Sequence, residues 1–343
     1  MGLKRRIVLA GMLLICVAAC CTGCSVKPKQ RYQTSYLELF DTVTSVVGYE
    51  DSEKAFSEKA AWIHDELEAY DHLYDIYHEY PGLVNLCTIN LHPGETFTVD
   101  QRIIDLLSLA EEADHFSGHR VNAMYGAVLR IWHEAREEGI SHPENAFLPE
   151  RDQLEAAAAH TGFDLIEINQ EARTVRLLDS EASLDVGALA KGYAAQKVCE
   201  SLPEGYLLSV GGNVVATGPK PDGTAWTVGV QNPDTNGEAY IQKVALNKGA
   251  VVTSGDYQRL YMVDGVPYHH IIDPETMFPG NKWRAVTVIT KDSGLADALS
   301  TALFLVDQEE GRKLLERFEA EALWIAKDGE IMYTPGYEAY IKE

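Results

Sequence analysis

Ser183-Leu-Asp-Val-Gly-Ala-Leu-Ala-Lys-Gly-Tyr193 is where the local texture of this chain changes, and its reading decides the fold. An apolar strand end runs into a turn at Gly187, and a helix over 187–202 follows, with Lys191 near its start. A helix N-terminus leaves backbone N–H groups unpaired, so the turn suits an anion such as a nucleotide phosphate. Tight packing of strand on helix accounts for the same glycine. Downstream, short β runs recur at 207–210, 214–217, 226–230, 240–246, 251–253, 260–263 and 286–289, broken by turn residues. The helical stretches 295–305 and 309–318 come next, and strands at 322–326 and 330–333 flank an Asp328-Gly329 turn, a strong hairpin signal. Upstream, 37–49 reads as a Val- and Thr-rich strand and 52–74 as an amphipathic helix. A second helix is capped by Asp100, a third spans 151–160, and 165–168 with 174–178 forms a hairpin. Many short neighbouring strands favour antiparallel pairing with helices packed on the sheet, an α+β fold with mostly antiparallel sheets.

The 343 residues suffice for a full core, and the net charge of −23 argues against nucleic acid as a partner. An anionic ligand must therefore be held locally, by metal ions, backbone N–H groups or a few placed cations. Residues 1–23 read as a secretory signal: Lys4, Arg5 and Arg6 precede an apolar stretch over 7–19, too short to span a bilayer. It ends in Thr22-Gly23-Cys24-Ser25, which resembles a bacterial lipobox, so Cys24 is the expected lipid anchor, with Cys20 as the alternative. The polar run 24–35 then serves as a tether, and 36–343 as the folded domain. This places the body outside the cytoplasm, anchored to the cell membrane. Only Cys87 and Cys199 remain beyond the signal, and a bridge between them is open but not required.

Three further segments carry chemistry. Gly211-Gly212-Asn213 lets backbone approach a ligand closely. Thr253 and Ser254 offer hydroxyls to a phosphate, and His269-His270 lie on a strand that points them to opposite faces, so one at most enters a given site. On the helix over 295–305, Asp297 and Thr301 stand at i and i+4 and share a face. One carboxylate, a hydroxyl and backbone carbonyls suit Mg²⁺, although helix capping explains the pair as well.

In order along the chain these segments resemble the ApbE family of FAD:protein FMN transferases. The resemblance is carried by Leu184-Asp-Val-Gly-Ala-Leu-Ala-Lys-Gly-Tyr193, Thr253-Ser-Gly-Asp-Tyr257, His269-His-Ile-Ile-Asp-Pro274 and Ala296-Asp-Ala-Leu-Ser-Thr-Ala302. Phe40-Asp41-Thr42 and Ser117-Gly118 with Gly126, Leu129 and Trp132 are looser matches. The resemblance implies that FAD is met by Phe40, Asn122, Ala123, Met124, Asp185, Lys191, His270, Ile271 and Ile272. It implies that magnesium is held by the Ala188 carbonyl, Asp297 and Thr301, with Ser300 nearby, and that His270 handles the proton of the acceptor hydroxyl. The implied reaction moves FMN from FAD to a Ser or Thr of an acceptor flavoprotein and releases AMP. Hydrolysis of FAD to FMN and AMP, or non-enzymatic FAD binding by a lipoprotein, are the alternatives. The chain departs from the family pattern at Asp41, which replaces glycine, Asn122 (aspartate), Met124 (threonine), Asn213 (aspartate) and Met277 (glycine).

Overall fold

The computed structural model describes residues 28–234 and 237–342. Its centre is an eight-stranded sheet: β1 (Gln30–Tyr36), β2 (Thr44–Glu50), β3 (Tyr206–Val210), β4 (Asn213–Ala216), β5 (Gly249–Gly255), β6 (Trp283–Thr290), β7 (Ala320–Ala326) and β8 (Ile331–Tyr333). The strands lie side by side in chain order and every neighbour is antiparallel. The sheet is thus a meander into which long excursions are inserted, and those excursions build the site.

Side chains alternate along each strand, so the sheet feeds two cores. Val46, Leu208, Val215, Val252 and Val288 point to a face covered by α1 (Glu53–Tyr74), α4 (Ala190–Glu200) and α5 (Ser293–Leu305). Between α1 and α4 lie α2 (Gln101–Phe116) and α3 (Gly126–Ser141), with shorter helices at Leu86–Leu91 and Arg151–Ala158. Val251, Ala285, Ile289 and Leu323 point the other way, against the hairpin Trp226–Gln231/Tyr240–Leu246 and Tyr337. Both faces are therefore dry, which explains the near-continuous apolar runs of the central strands. Leu299 and Leu303 of α5 are fully buried between sheet and helices, and each contributes about 1.5–3 kcal/mol. A third cluster joins Val128 and Trp132 of α3 to Tyr261, Ile272 and Met277.

Several expectations need correction. The strand expected over 37–49 is split: Leu39–Asp41 is a 3₁₀ turn, with Phe40 and Asp41 at positive φ (54° and 52°), and the chain doubles back there. Residues 30–35, expected in the tether, belong to β1, an edge strand whose Tyr32 stacks on Phe56 and whose Tyr36 hydroxyl donates to the Ala60 carbonyl. The helix expected from Gly187 starts at Ala190. The strand bearing the two histidines ends at His269, so His270 and Ile271 sit in the bend before Ile272–Asp273. Helix α3 and the short helix Leu86–Leu91 were not anticipated from the sequence. Cys87 and Cys199 are both free and buried, so no bridge forms. The signal segment, Cys20 and Cys24 lie outside the described residues.

Candidate active site

A cavity of about 460 Å³ opens where the excursions from the sheet converge. Its wall takes residues from the 3₁₀ turn before β2, the end of α1, the start of α3, the turn before α4, the β3–β4 and β5 ends, the 258–272 hairpin and α5.

Asp297 forms its floor. The side chain is 4% exposed, and its Oδ2 accepts from the Gly192 N–H at 2.8 Å and from Asn213 Nδ2 at 2.9 Å. Lys191 Nζ stands 4.0 Å away and donates to the Gly187 carbonyl at 3.0 Å. Among the described residues, Oδ1 has no hydrogen-bond partner. Burial pushes the Asp297 carboxyl above its ordinary range, while Lys191, the Gly192 N–H and Asn213 act against that. Gly192 makes this arrangement sterically feasible. A Cβ there would fall 2.6 Å from Asp297 Cβ and closer still to the Ser293 carbonyl, so only glycine lets α4 approach α5. One turn along α5, Thr301 lines the cavity, and its hydroxyl lies 3.3 Å from Ser254 Oγ. Ser300 is fully buried behind that wall, donating to the Asp297 carbonyl and bonded to Ser254 Oγ at 2.8 Å.

The turn at 185–191 is less open to an anion than its sequence suggests. The Gly187 N–H donates to Asp185 Oδ1, those of Leu189 and Ala190 to the Val186 carbonyl, and that of Gly192 to Asp297. Most of the donors expected to cradle phosphate are already satisfied, because the turn is knitted into α4. Asp185 is itself held by its own amide's bond to the Ala123 carbonyl, and burial raises its pKa against the Gly187 N–H, His133, Arg259 and Lys191.

The two histidines have separate fates. His269 donates from Nε2 to the Gly280 carbonyl, accepts at Nδ1 from the Ile271 N–H and stands edge-on to Phe304, a fully engaged structural ring. His270 lines the cavity, with Nδ1 3.2 Å from the Gln258 carbonyl. A carbonyl only accepts, so Nδ1 carries the proton and Nε2 is left with a free lone pair. Burial, then the charges of Arg259 and Lys191, drive its pKa down to about 3, so the ring is neutral at pH 7.

Phe40, Asn122, Ala123, Ile271 and Ile272 also line the cavity, as do Asp185, Ala188 and Lys191. Two expected residues do not. Met124 is completely buried in the main core and only its N–H points outward, to Asn122 Oδ1 at 2.7 Å; Ser300 sits behind Ser254 and Thr301. Asn122 also donates from Nδ2 to the Thr161 carbonyl at 2.8 Å, a bond that an aspartate could not make. Asn213 likewise turns what would be two facing carboxylates into a hydrogen bond. Residues that sequence reasoning missed include Asp71, raised to about 6 chiefly by burial, and Tyr77, stacked on His133 at 4.7 Å. Arg136 donates to His133 Nδ1 at 2.8 Å, and Arg120 pairs with Asp273 and Glu275. Arg259 completes the wall. No local motif marks any of them, since tertiary folding alone brings them together.

Among the described residues no group of three or more His, Cys, Asp and Glu gathers. A cation here would be held by one carboxylate with hydroxyl and carbonyl oxygens, a hard-oxygen set that fits Mg²⁺ and not zinc.

An antiparallel meander whose insertions enclose a cleft of this volume, lined by aromatic rings together with carboxylate, hydroxyl and cationic groups, defines an α+β protein with room for a nucleotide-sized ligand. The chain belongs to the ApbE family, whose sequence profile matches residues 40–324. It is 31% identical over 271 residues to the FAD:protein FMN transferase of Treponema pallidum, covering 73% of each chain. It is also 31% identical over 243 residues to one from Klebsiella pneumoniae, covering 69% of this chain and 73% of that one. The ApbE protein of Thermotoga maritima superposes with a TM-score of 0.80 at 29% identity, over 92% of this chain and all of the other. The flavin transferase ApbE of Vibrio cholerae, at 24% identity and a TM-score of 0.76, shares the fold. Asp41 and Met277, where the resemblance leads one to expect glycine, both sit at left-handed φ (52° and 62°), a conformation that favours glycine.

Proposed function

We propose that this protein is a flavin transferase that moves the FMN half of FAD onto a Ser or Thr hydroxyl of an acceptor flavoprotein and releases AMP, with magnesium as its metal. The observation that carries the reading is the convergence of Asp297, Thr301, Lys191 and His270, from separate segments, on one cavity. Membership of a family whose curated relatives are FAD:protein FMN transferases supports enzymatic activity of this type.

Asp297 through its free Oδ1, the Thr301 hydroxyl and the Ala188 carbonyl would hold the metal, with Ser300 bracing Asp297 from behind. When bound, magnesium neutralises charge on the phosphoanhydride and acts as a Lewis acid. Lys191 adds a second positive charge beside Asp297. His270 Nε2 accepts the proton of the acceptor hydroxyl as its oxygen attacks the FMN-side phosphorus, while Gln258 fixes the ring through Nδ1. With Nε2 unprotonated, the ring can take that proton as the new O–P bond forms. The apolar residues Phe40, Ile271 and Ile272 suit the flavin ring and exclude water from it.

The N-terminal reading completes the proposal: cleavage before Cys24 and acylation would tether the domain outside the cytoplasm. Among the described residues no helix is long and apolar enough to cross a membrane. Incubation with FAD, Mg²⁺ and a candidate acceptor, followed by intact-mass analysis, tests the reaction. The acceptor should gain the mass of FMN less water while AMP accumulates; free FMN with an unmodified acceptor means hydrolysis instead.

A further inference from the structure

The cations around the cavity are not equally free. Arg120 is tied to Asp273 and Glu275, Arg136 to His133 and Glu137, and Lys191 to Gly187 and Asp297. Arg259 differs. Its guanidinium makes one hydrogen bond, from Nη2 to the Phe40 carbonyl at 3.3 Å, and among the described residues it forms no ion pair. It lines the cavity and acts electrostatically on both His270 and Asp185. In a chain of net charge −23, an arginine that faces a cleft without a carboxylate partner is the exception.

The backbone adds a second, independent observation. Arg259 sits at φ 45°, and the carbonyl it contacts belongs to Phe40 at φ 54°, next to Asp41 at φ 52°. Three non-glycine residues in the left-handed region thus meet at one rim of the cavity. Such strain persists where the surrounding structure holds it, and it gathers at ligand-binding sites. Here it holds an exposed guanidinium at the cavity rim with most of its N–H donors unused by protein groups. Because most amides of the 185–191 turn are already satisfied, side-chain cations must supply the anion contacts that the turn does not.

We infer that Arg259 is a positioning and specificity residue that grips the pyrophosphate of the dinucleotide, and so distinguishes FAD from unphosphorylated flavin. This rests on the proposed reading of the site as an FAD site. Charge-assisted bonds from a guanidinium to phosphate are shorter and stronger than neutral ones, and bidentate contact adds geometric selectivity.

The test compares FAD and ADP binding by calorimetry, with and without Mg²⁺, in the full folded domain and its R259A, R259K and R259Q variants. Glutamine keeps an N–H donor for the Phe40 carbonyl and loses the charge. R259A and R259Q should both weaken FAD and ADP about 10- to 100-fold, and R259K should recover most of the loss, with unfolding midpoints unchanged. Wild-type affinity in R259A overturns the inference. So does wild-type affinity in R259Q alongside a loss in R259A, because that pattern assigns Arg259 to holding Phe40. If the wild-type protein binds neither FAD nor ADP, the reading of the whole site fails first and this inference with it.

Discussion

Replacing Gly192 by alanine probes the contact that assembles the site. The added methyl would press on Asp297 Cβ, 2.6 Å away, and still more closely on the Ser293 carbonyl, both fixed by α5. Neither is the flexible end of a side chain, so α4 and α5 must part. Overpacking of this kind costs about 1–3 kcal/mol, and lengthening the Gly192 N–H bond to a buried carboxylate costs about 1.5–3 kcal/mol more. Alanine's better helix propensity returns about 1 kcal/mol. The net loss is roughly 1.5–5 kcal/mol, or roughly 2–8 °C in unfolding midpoint for a chain of this size. Urea titration and thermal unfolding measure it, and transfer activity should fall by more than the folded fraction does, because Asp297 and Lys191 are displaced together. A G192A protein as stable and active as wild type would refute the claim that this close approach builds the active centre.

Further outcomes follow from other parts of the molecule. His270 is held neutral with a pKa near 3 in the folded state, against about 6.5 when unfolded. Between those values the unfolded chain binds the extra proton, so stability should fall as pH drops from about 6.5 toward 3; H270Q should flatten that part of the profile in urea titrations at successive pH values. Asp41 is exposed at φ 52°, so D41G should stabilise the protein by about 0.5–1 kcal/mol in the same assay. Cys87 and Cys199 should resist a thiol reagent in the native protein and react fully after denaturation, since both are buried and desolvation raises both thiol pKa values.

The central sheet was legible because its strands are buried on both faces and read as Val-rich runs bounded by turns. β1 was not: it is an edge strand whose polar Gln30, Arg31, Gln33 and Ser35 face solvent, so only Tyr32 and Tyr36 carry an apolar signal. Helix α3 escaped because its N-cap, Tyr125, makes no side-chain capping bond. Helical spacing put Asp297 and Thr301 on one face of α5, and both line the cavity, but spacing could not show that Ser300 turns inward. The turn before α4 was found, while the use of its amides was not, because the acceptor for Gly192 comes from Asp297, far away in the chain. Arg259, Tyr77 and His133 belong to no motif, and only the folded chain brings them to the same wall.

The dependence of transfer on magnesium through Asp297 bears most directly on the account. Initial rates of FMN transfer to an acceptor, read by intact mass over a magnesium titration, should rise from near zero to saturation in the wild-type protein. D297A, folded by circular dichroism, should stay at the baseline throughout. Full transfer by D297A at low magnesium would contradict the proposed chemistry.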